Sequence, residues 1–379
     1  MAPLDLSSKC LTVHCFGREH LANKARIQLL LPLLVISSSC YESSYVFGPP
    51  VMSQVTFLVL MARVQDSSVL FLQPSHISSV VSSENIDEII RAKRSDNLIW
   101  KLYTENGLHS RVKAFLHHMG FLGVLQCGLR VYDHHLITAL VERWRRETHT
   151  FHFRYGEATI TLQDISIIWG LPIHGDVISG TDASHTVGVW QDICFRYLGY
   201  TPLATHFKGG HLSMTSLYEH CTSTYIDDNS SDVDVVKYSR CVALMIIGGI
   251  MLPDYQGGSA RLIYLQLLRN IDQIKSYSWG SAVLAFLYRE LCNATRIGKA
   301  KIAGPLYILQ VWAWSRIKCV NPDRHGLSHF VAPNPADDIM PFSPYGAWWN
   351  NIFSYTHAPT HFVRIIRDSF DRMNHDEFN

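Results

Sequence analysis

The sequence predicts a mainly α fold, a multi-helix globular domain with a small β-hairpin near residues 149–161. Three observations carry this. Apolar residues recur at three- and four-residue steps along most of the chain after Trp100. Cap and stop residues bracket those runs. Strict two-residue alternation is clear in only one place, "THTFHFRYGEATITL".

Residues 1–95 read as a poorly ordered or weakly packed segment, with Ser clusters and short apolar runs lacking helical period. It closes on "PSHISSVVSSENIDEIIRAKRSDN", which reads as a linker or solvated helix. Residues 96–379 form the helical domain. "LHSRVKAFLHHMGFLGVLQ" places Leu108, Val112, Phe115, Leu116 and Met119 on one helix face. Asp133 caps the next helix, where Leu136, Leu140 and Trp144 step by four. Thr161 and Asp164 form a near capping box for a helix burying Leu162, Ile165, Ile168 and Trp169; Gly170 and Pro172 end it. Further helices are expected at "VGVWQDICFRYLG", "HLSMTSLYEHC", "DVDVVKYSRCVALMIIGGIML", "SARLIYLQLLRNIDQI", "WGSAVLAFLYRELCNAT" and "GPLYILQVWAWSRI". A Pro-rich loop follows Ile317, and "THFVRIIRDSFDRMN" reads as a short closing helix.

The hairpin draws attention because it concentrates polar groups. As a strand, it sends His149, Phe151, Phe153 and Tyr155 to one face, and Thr150, His152 and Arg154 to the other. His149 and His152 therefore read as packed or hydrogen-bonded histidines, since they could share a metal only with distortion; shared metal binding is the competing reading. Glu157 reads as a turn acid that solvates the hairpin tip or pairs with Arg154; a general base is the competing reading. "RWRR" (Arg143 to Arg146) reads as the basic end of a helix, complementing its dipole. A phosphate-contact role is the competing reading.

Bulk properties exclude several classes. The chain has 379 residues, 47% hydrophobic and 17% charged, which describes a globular protein. Its 33 Lys+Arg against 32 Asp+Glu give a net charge of +1, too little for duplex binding through the overall field. Nine scattered cysteines without a C-x-x-C pair read as reduced, mostly buried thiols. "CLTVHCFGREH" is irregularly spaced for zinc. "IQLLLPLLVI" and "CVALMIIGGIMLP" are too short to span a membrane. No phosphate-binding Gly loop, nucleophile elbow or H-E-x-x-H occurs. No cofactor and no metal are expected, and an enzyme is not.

Several blocks in order resemble the plant mobile domain, shared with maintenance-of-meristems-like proteins. They are W-x-x-E-T-H-T-F-H from Trp144, G-E-x-T-I-T-L-x-D from Gly156, G-L-P-x-x-G from Gly170, "SWGSAVLAFLYRELCNAT" and "IAGPLYILQVWAWSRI". The resemblance covers roughly Trp100 to Asn379. It marks Trp144, Glu147, His149, His152, Gly156, Glu157, Asp164, Gly170 and Pro172 as residues to test. It implies a helical domain, with the C-terminal part incomplete in this chain. It also implies a nuclear, non-enzymatic interaction module linked to meristem maintenance, transposon silencing and genome stability. Its partners are then proteins, of phosphoprotein-phosphatase or chromatin type. A transposon-derived nucleic-acid-binding accessory is the alternative. The family's "aminotransferase-like" label implies a Schiff-base lysine, but nothing near Lys299 and Lys301 supplies a phosphate cup or an acid for the ring nitrogen.

Overall fold

The computed structural model describes residues 70–84, 87–128, 131–179, 185–253, 257–322, 344–349 and 362–378. All belong to one compact unit, Leu58–Asn379. The "CLTVHCFGREH" and "IQLLLPLLVI" stretches lie outside the described residues, as does most of the Pro-rich loop after Ile317.

The chain enters through α1 (Ile77–Glu84), β1 (Arg91–Ala92) and α2 (Asn97–Lys101), which runs on as a π-turn. Then come α3 (Ser110–His118), α4 (Leu122–Gln126) and α5 (His134–Val141). Strands β2 (Trp144–Arg145), β3 (Thr150–Phe153) and β4 (Gly156–Ala158) lead into α6 (Leu162–Trp169) and α7 (Val187–Leu198). A second small sheet uses β5 (Phe207–Lys208), β6 (His211–Ser213) and, after α8 (Met214–Ser223) and α9 (Asp232–Ile246), β7 (Ser259–Arg261). The rest is α10 (Ile263–Leu267), α11 (Ile271–Ile274), α12 (Trp279–Ala294), β8 (Lys301–Ile302), α13 (Leu306–Arg316) and α14 (Phe362–Arg372). The fold is mainly α with small β elements, as expected.

Helix α13 and the C-terminal half of α9 are buried nearly all round, and several other helices pack on them. In α13, Leu306 through Trp314 are all buried. It packs on α5 and α6. In α9, Cys241 through Ile246 are buried, and the chain continues as a buried π-turn over Ile247–Met251. It meets α3, α7 and α8. At Gly248 the backbone passes so close to β7 that a Cβ would lie 2.5 Å from the Ala260 Cβ. A side chain cannot fit there without displacing the strand.

The expected caps form. Asp133 accepts from the N–H groups of His135 and Leu136. Thr161 and Asp164 make the full capping box. Gly170 ends α6 at φ +70° and donates to Ser166 O. Pro172 follows, and its carbonyl accepts from Gly280 N–H at the start of α12.

Several expectations are corrected. The α5 helix stops at Val141, so Trp144 lies on β2 and not on a helix face. Its indole packs between Phe151 of β3 and Tyr288 of α12. The hairpin is thus the outer part of a three-stranded antiparallel sheet, ordered β2-β3-β4. "SARLIYLQLLRNIDQI" is one strand and two short helices, because β7 completes the sheet with β6. Its neighbour "HLS" is likewise β6. Within residues 70–95, Leu70, His76 and Ile90 are buried, and β1 pairs with β8 in parallel.

Gly170→Ala tests the helix stop. A Cβ there meets only Pro344, at 3.9 Å, so its cost is conformational. The substitution is expected to destabilise by about 1 kcal/mol, read as a lower denaturant midpoint with unchanged slope.

Candidate functional site

The signature stretch folds around Trp144. Its indole is fully buried and meets Phe151 at 4.8 Å and Tyr288 at 5.0 Å between ring centroids, both edge-on. The indole N–H points to Cys292 Sγ at 3.3 Å. Phe151, opposite Trp144 in the register, stacks on Trp312 of α13 at 5.2 Å. The β2-β3-β4 sheet is thereby fixed to α12 and α13.

The backbone of Trp144 is held from the other side. Buried His76 donates from Nε2 to Trp144 O at 2.8 Å, while its Nδ1 accepts from Ser78 N–H. That pair of bonds fixes a neutral tautomer. Burial, helped by the charges of Arg145 and Arg146, pushes the imidazole down to about 3.

The residues after Trp144 clamp the same N-terminal segment. Arg145 is buried and donates to Gln73 Oε1 at 2.7 Å. Arg146 donates to Ser75 Oγ at 2.6 Å, and Glu147 accepts from Leu72 N–H at 2.8 Å. Burial lowers the pKa of both Arg145 and Arg146. Arg143 does bond a helix carbonyl, Ala139 O, but its shorter bond is to Asp371 of α14, at 2.6 Å. The "RWRR" cluster is therefore not a helix-dipole cluster. Its cations tie distant segments together.

His149 stands in the turn between β2 and β3 with a left-handed φ of +56°. Histidine tolerates this better than most side chains. Its N–H returns to Arg145 O, and its carbonyl accepts from Thr159 Oγ1 at 2.8 Å. Its ring lies parallel to Tyr288 at 5.8 Å. Burial lowers its pKa.

His152 faces away from that packing. It pairs with Glu157 across the strands, Nε2 to Oε2 at 3.4 Å, and Thr150 Oγ1 donates to the same carboxylate oxygen at 2.7 Å. Burial lowers the His152 pKa, opposed by Glu157. Glu157 thus pairs with His152 and not with Arg154, whose guanidinium lies over the Tyr155 ring. Gly156, at φ +150°, provides the turn geometry. The two histidines differ in chemistry as well as place: one is stacked on Tyr288, the other sits in a Thr–His–Glu cluster on the opposite face.

Asp164 has two tasks. One oxygen accepts from Thr161 N–H at 2.8 Å, and the other takes Arg316 at 2.9 Å. Gly170 sets the backbone path, while the Pro172 ring also lies against Gly120, where a Cβ would come within 3.3 Å of it. Among the described residues no group of three or more His, Cys, Asp or Glu could hold a metal ion. Sequence reasoning missed His76, Gln73, Tyr288 and Cys292. Nothing in the chain around them signals a partner 68 or more positions away.

Two measurements check this geometry. Glu147→Ala frees the Leu72 N–H and is expected to make the chain near residue 72 more sensitive to limited proteolysis while leaving the melting curve of the core almost unchanged. Because the pKa of His76 is depressed in the folded state, its stabilising neutrality is complete above about pH 6.5 and declines as pH falls toward 3. The decline approaches ~1.4 kcal/mol per pH unit. His76→Gln is expected to flatten the fall in melting temperature between pH 6.5 and pH 5.

Known proteins are similar to this chain over the same region. A model of the plant mobile domain matches residues 120–379. The serine/threonine-protein phosphatase 7 long form homolog of Arabidopsis thaliana is 36% identical over 261 residues, 68% of this chain and 19% of that protein. Protein MAIN-LIKE 1 of the same plant is 36% identical over 263 residues, 68% of this chain and 50% of that one. Protein MAINTENANCE OF MERISTEMS, also from Arabidopsis thaliana, is 30% identical over 258 residues, covering 68% and 52%. The chain spans about a fifth to a half of the length of these relatives. No solved structure matches it. The matched region contains the whole β2-β3-β4 sheet and both helices that bury it, and on that match the chain belongs to the plant mobile domain family.

Proposed function

We propose that the chain is a nuclear interaction module that works through protein partners and catalyses no reaction of its own. The observation that carries this reading is the way the signature's polar groups are used. Glu147, His149 and Asp164 satisfy backbone groups, a ring stack or a helix cap. His149 and His152 do not converge on one cleft. General acid–base work needs groups within reach of one reacting atom, and this pair does not offer that.

The relatives' names support the biological setting. Maintenance of meristems is in the name of one, which supports a role in meristem maintenance; transposon silencing and genome stability are further roles we propose for it. Another, named as a phosphatase homolog, matches this chain over only 19% of its length. A similar region joined to a longer chain of that name supports a phosphoprotein-phosphatase-like or chromatin partner. The nucleic-acid alternative loses its best support, because Arg143, Arg145 and Arg146 already bond protein atoms.

Co-purification of the tagged chain from plant nuclei is the test. Recovery of a phosphatase-like or chromatin protein at comparable amounts is expected. A chain that runs alone in nuclear extract, or that stays out of the nucleus, overturns the reading. Binding to duplex DNA with a steep salt slope would put the alternative in its place.

A further inference from the structure

Among the described residues, the outer strand of the signature sheet has an open edge: in the order β2-β3-β4, no described strand pairs with the far side of β4. His152 sends its own N–H toward β2, to Arg143 O at 2.9 Å. In an antiparallel ladder, the bonds between β3 and β4 must then fall at the pairs flanking His152 and Glu157, namely Phe151 with Ala158 and Phe153 with Gly156. The N–H and C=O of Glu157 consequently point outward, as one donor and one acceptor at an open edge.

The two faces of that edge differ in chemistry. On one lies a cleft of about 210 Å³, lined mainly by apolar side chains, among them Phe153, Ala158, Met373 and Phe378, with Glu157 and Asn374 also contributing to its wall. A Cβ on Gly156 would find nothing within 4 Å. On the other face the Glu157 carboxylate is half exposed beside His152 and Thr150. Burial lowers the His152 pKa, opposed by Glu157 itself.

We infer that β4 is a docking edge for an extended peptide of a protein partner, with the pattern apolar–basic–apolar. The central residue exchanges backbone bonds with Glu157 and sets its Lys or Arg side chain against that carboxylate. Because side chains alternate, its neighbours fall on the opposite face, where the apolar cleft receives them. Charge and period together select this occupant. An acidic peptide would meet Glu157 directly, and a helix could not use the edge. The inference rests on the interaction-module reading and specifies its surface.

The probe is a short fluorescein-labelled peptide alternating Val and Lys, followed by anisotropy with the full chain. It is expected to bind more tightly than its Val–Glu counterpart. Methylating the amide nitrogens along its pairing edge should abolish binding. Glu157→Lys should weaken binding about fivefold or more through charge. Glu157→Pro should do so by removing the outward N–H while sparing the β3 ladder. Glu157→Gln, which keeps the backbone, should weaken it less than Glu157→Lys. Circular dichroism establishes that each variant is folded. Equal binding of the Lys and Glu peptides, or insensitivity to N-methylation, overturns the docking edge. In that event, nuclear partners still recovered by the Glu157→Lys chain leave the module reading intact, whereas that reading falls only if the unaltered chain recovers none.

Discussion

Everything in the signature region depends on how Trp144 is buried. A tryptophan brings a large apolar area and one polar N–H, and both need a home. Here the ring is enclosed by Phe151 and Tyr288, and the N–H meets a thiol. Its carbonyl takes the bond from His76. A single residue thereby connects the N-terminal segment, the small sheet and α12. The sheet is too short to be stable alone, since a strand pair in water is marginal. It persists because its inner face, Trp144, Phe151 and Phe153, is an extension of the helical core.

The arginines and acids around it show the same economy. Arg367 of α14 bonds Glu142 at 2.6 Å, and Arg364 bonds Asp87 at 2.7 Å. Together with Arg143 and Asp371, these pairs hold α14 across the end of α5. Glu142 is buried, so removing its partner would leave an uncompensated charge. Such pairs fix which surfaces meet more than they add stability.

Local rules were legible in the sequence wherever neighbours along the chain decide the outcome. Asp133, the Thr161–Asp164 box and the Gly170 stop are caps, set within four residues, and all formed. The split of His149 from His152 followed from strand alternation. The helical period failed at Trp144 because a four-residue step from Leu140 is only a pattern; the sheet partner that overrides it is Phe151, together with rings from residues 288 and 312. The clamp on residues 72–78 was invisible for the same reason. Polar residues such as Gln73 and Ser75 look like surface until the cations that need them are placed.

The distances in sequence also set an order of events during synthesis. The β2-β3-β4 sheet spans only 15 residues, from Trp144 to Ala158, so all three strands leave the ribosome together, well before the core that stabilises them. Tyr288 and Trp312, which cover its apolar face, arrive more than 120 residues later. Until then Phe151 and Phe153 face water, next to a strand edge that no described strand pairs. The nascent chain therefore passes through a stage in which it is prone to aggregate, and a fragment ending before α13 stays there.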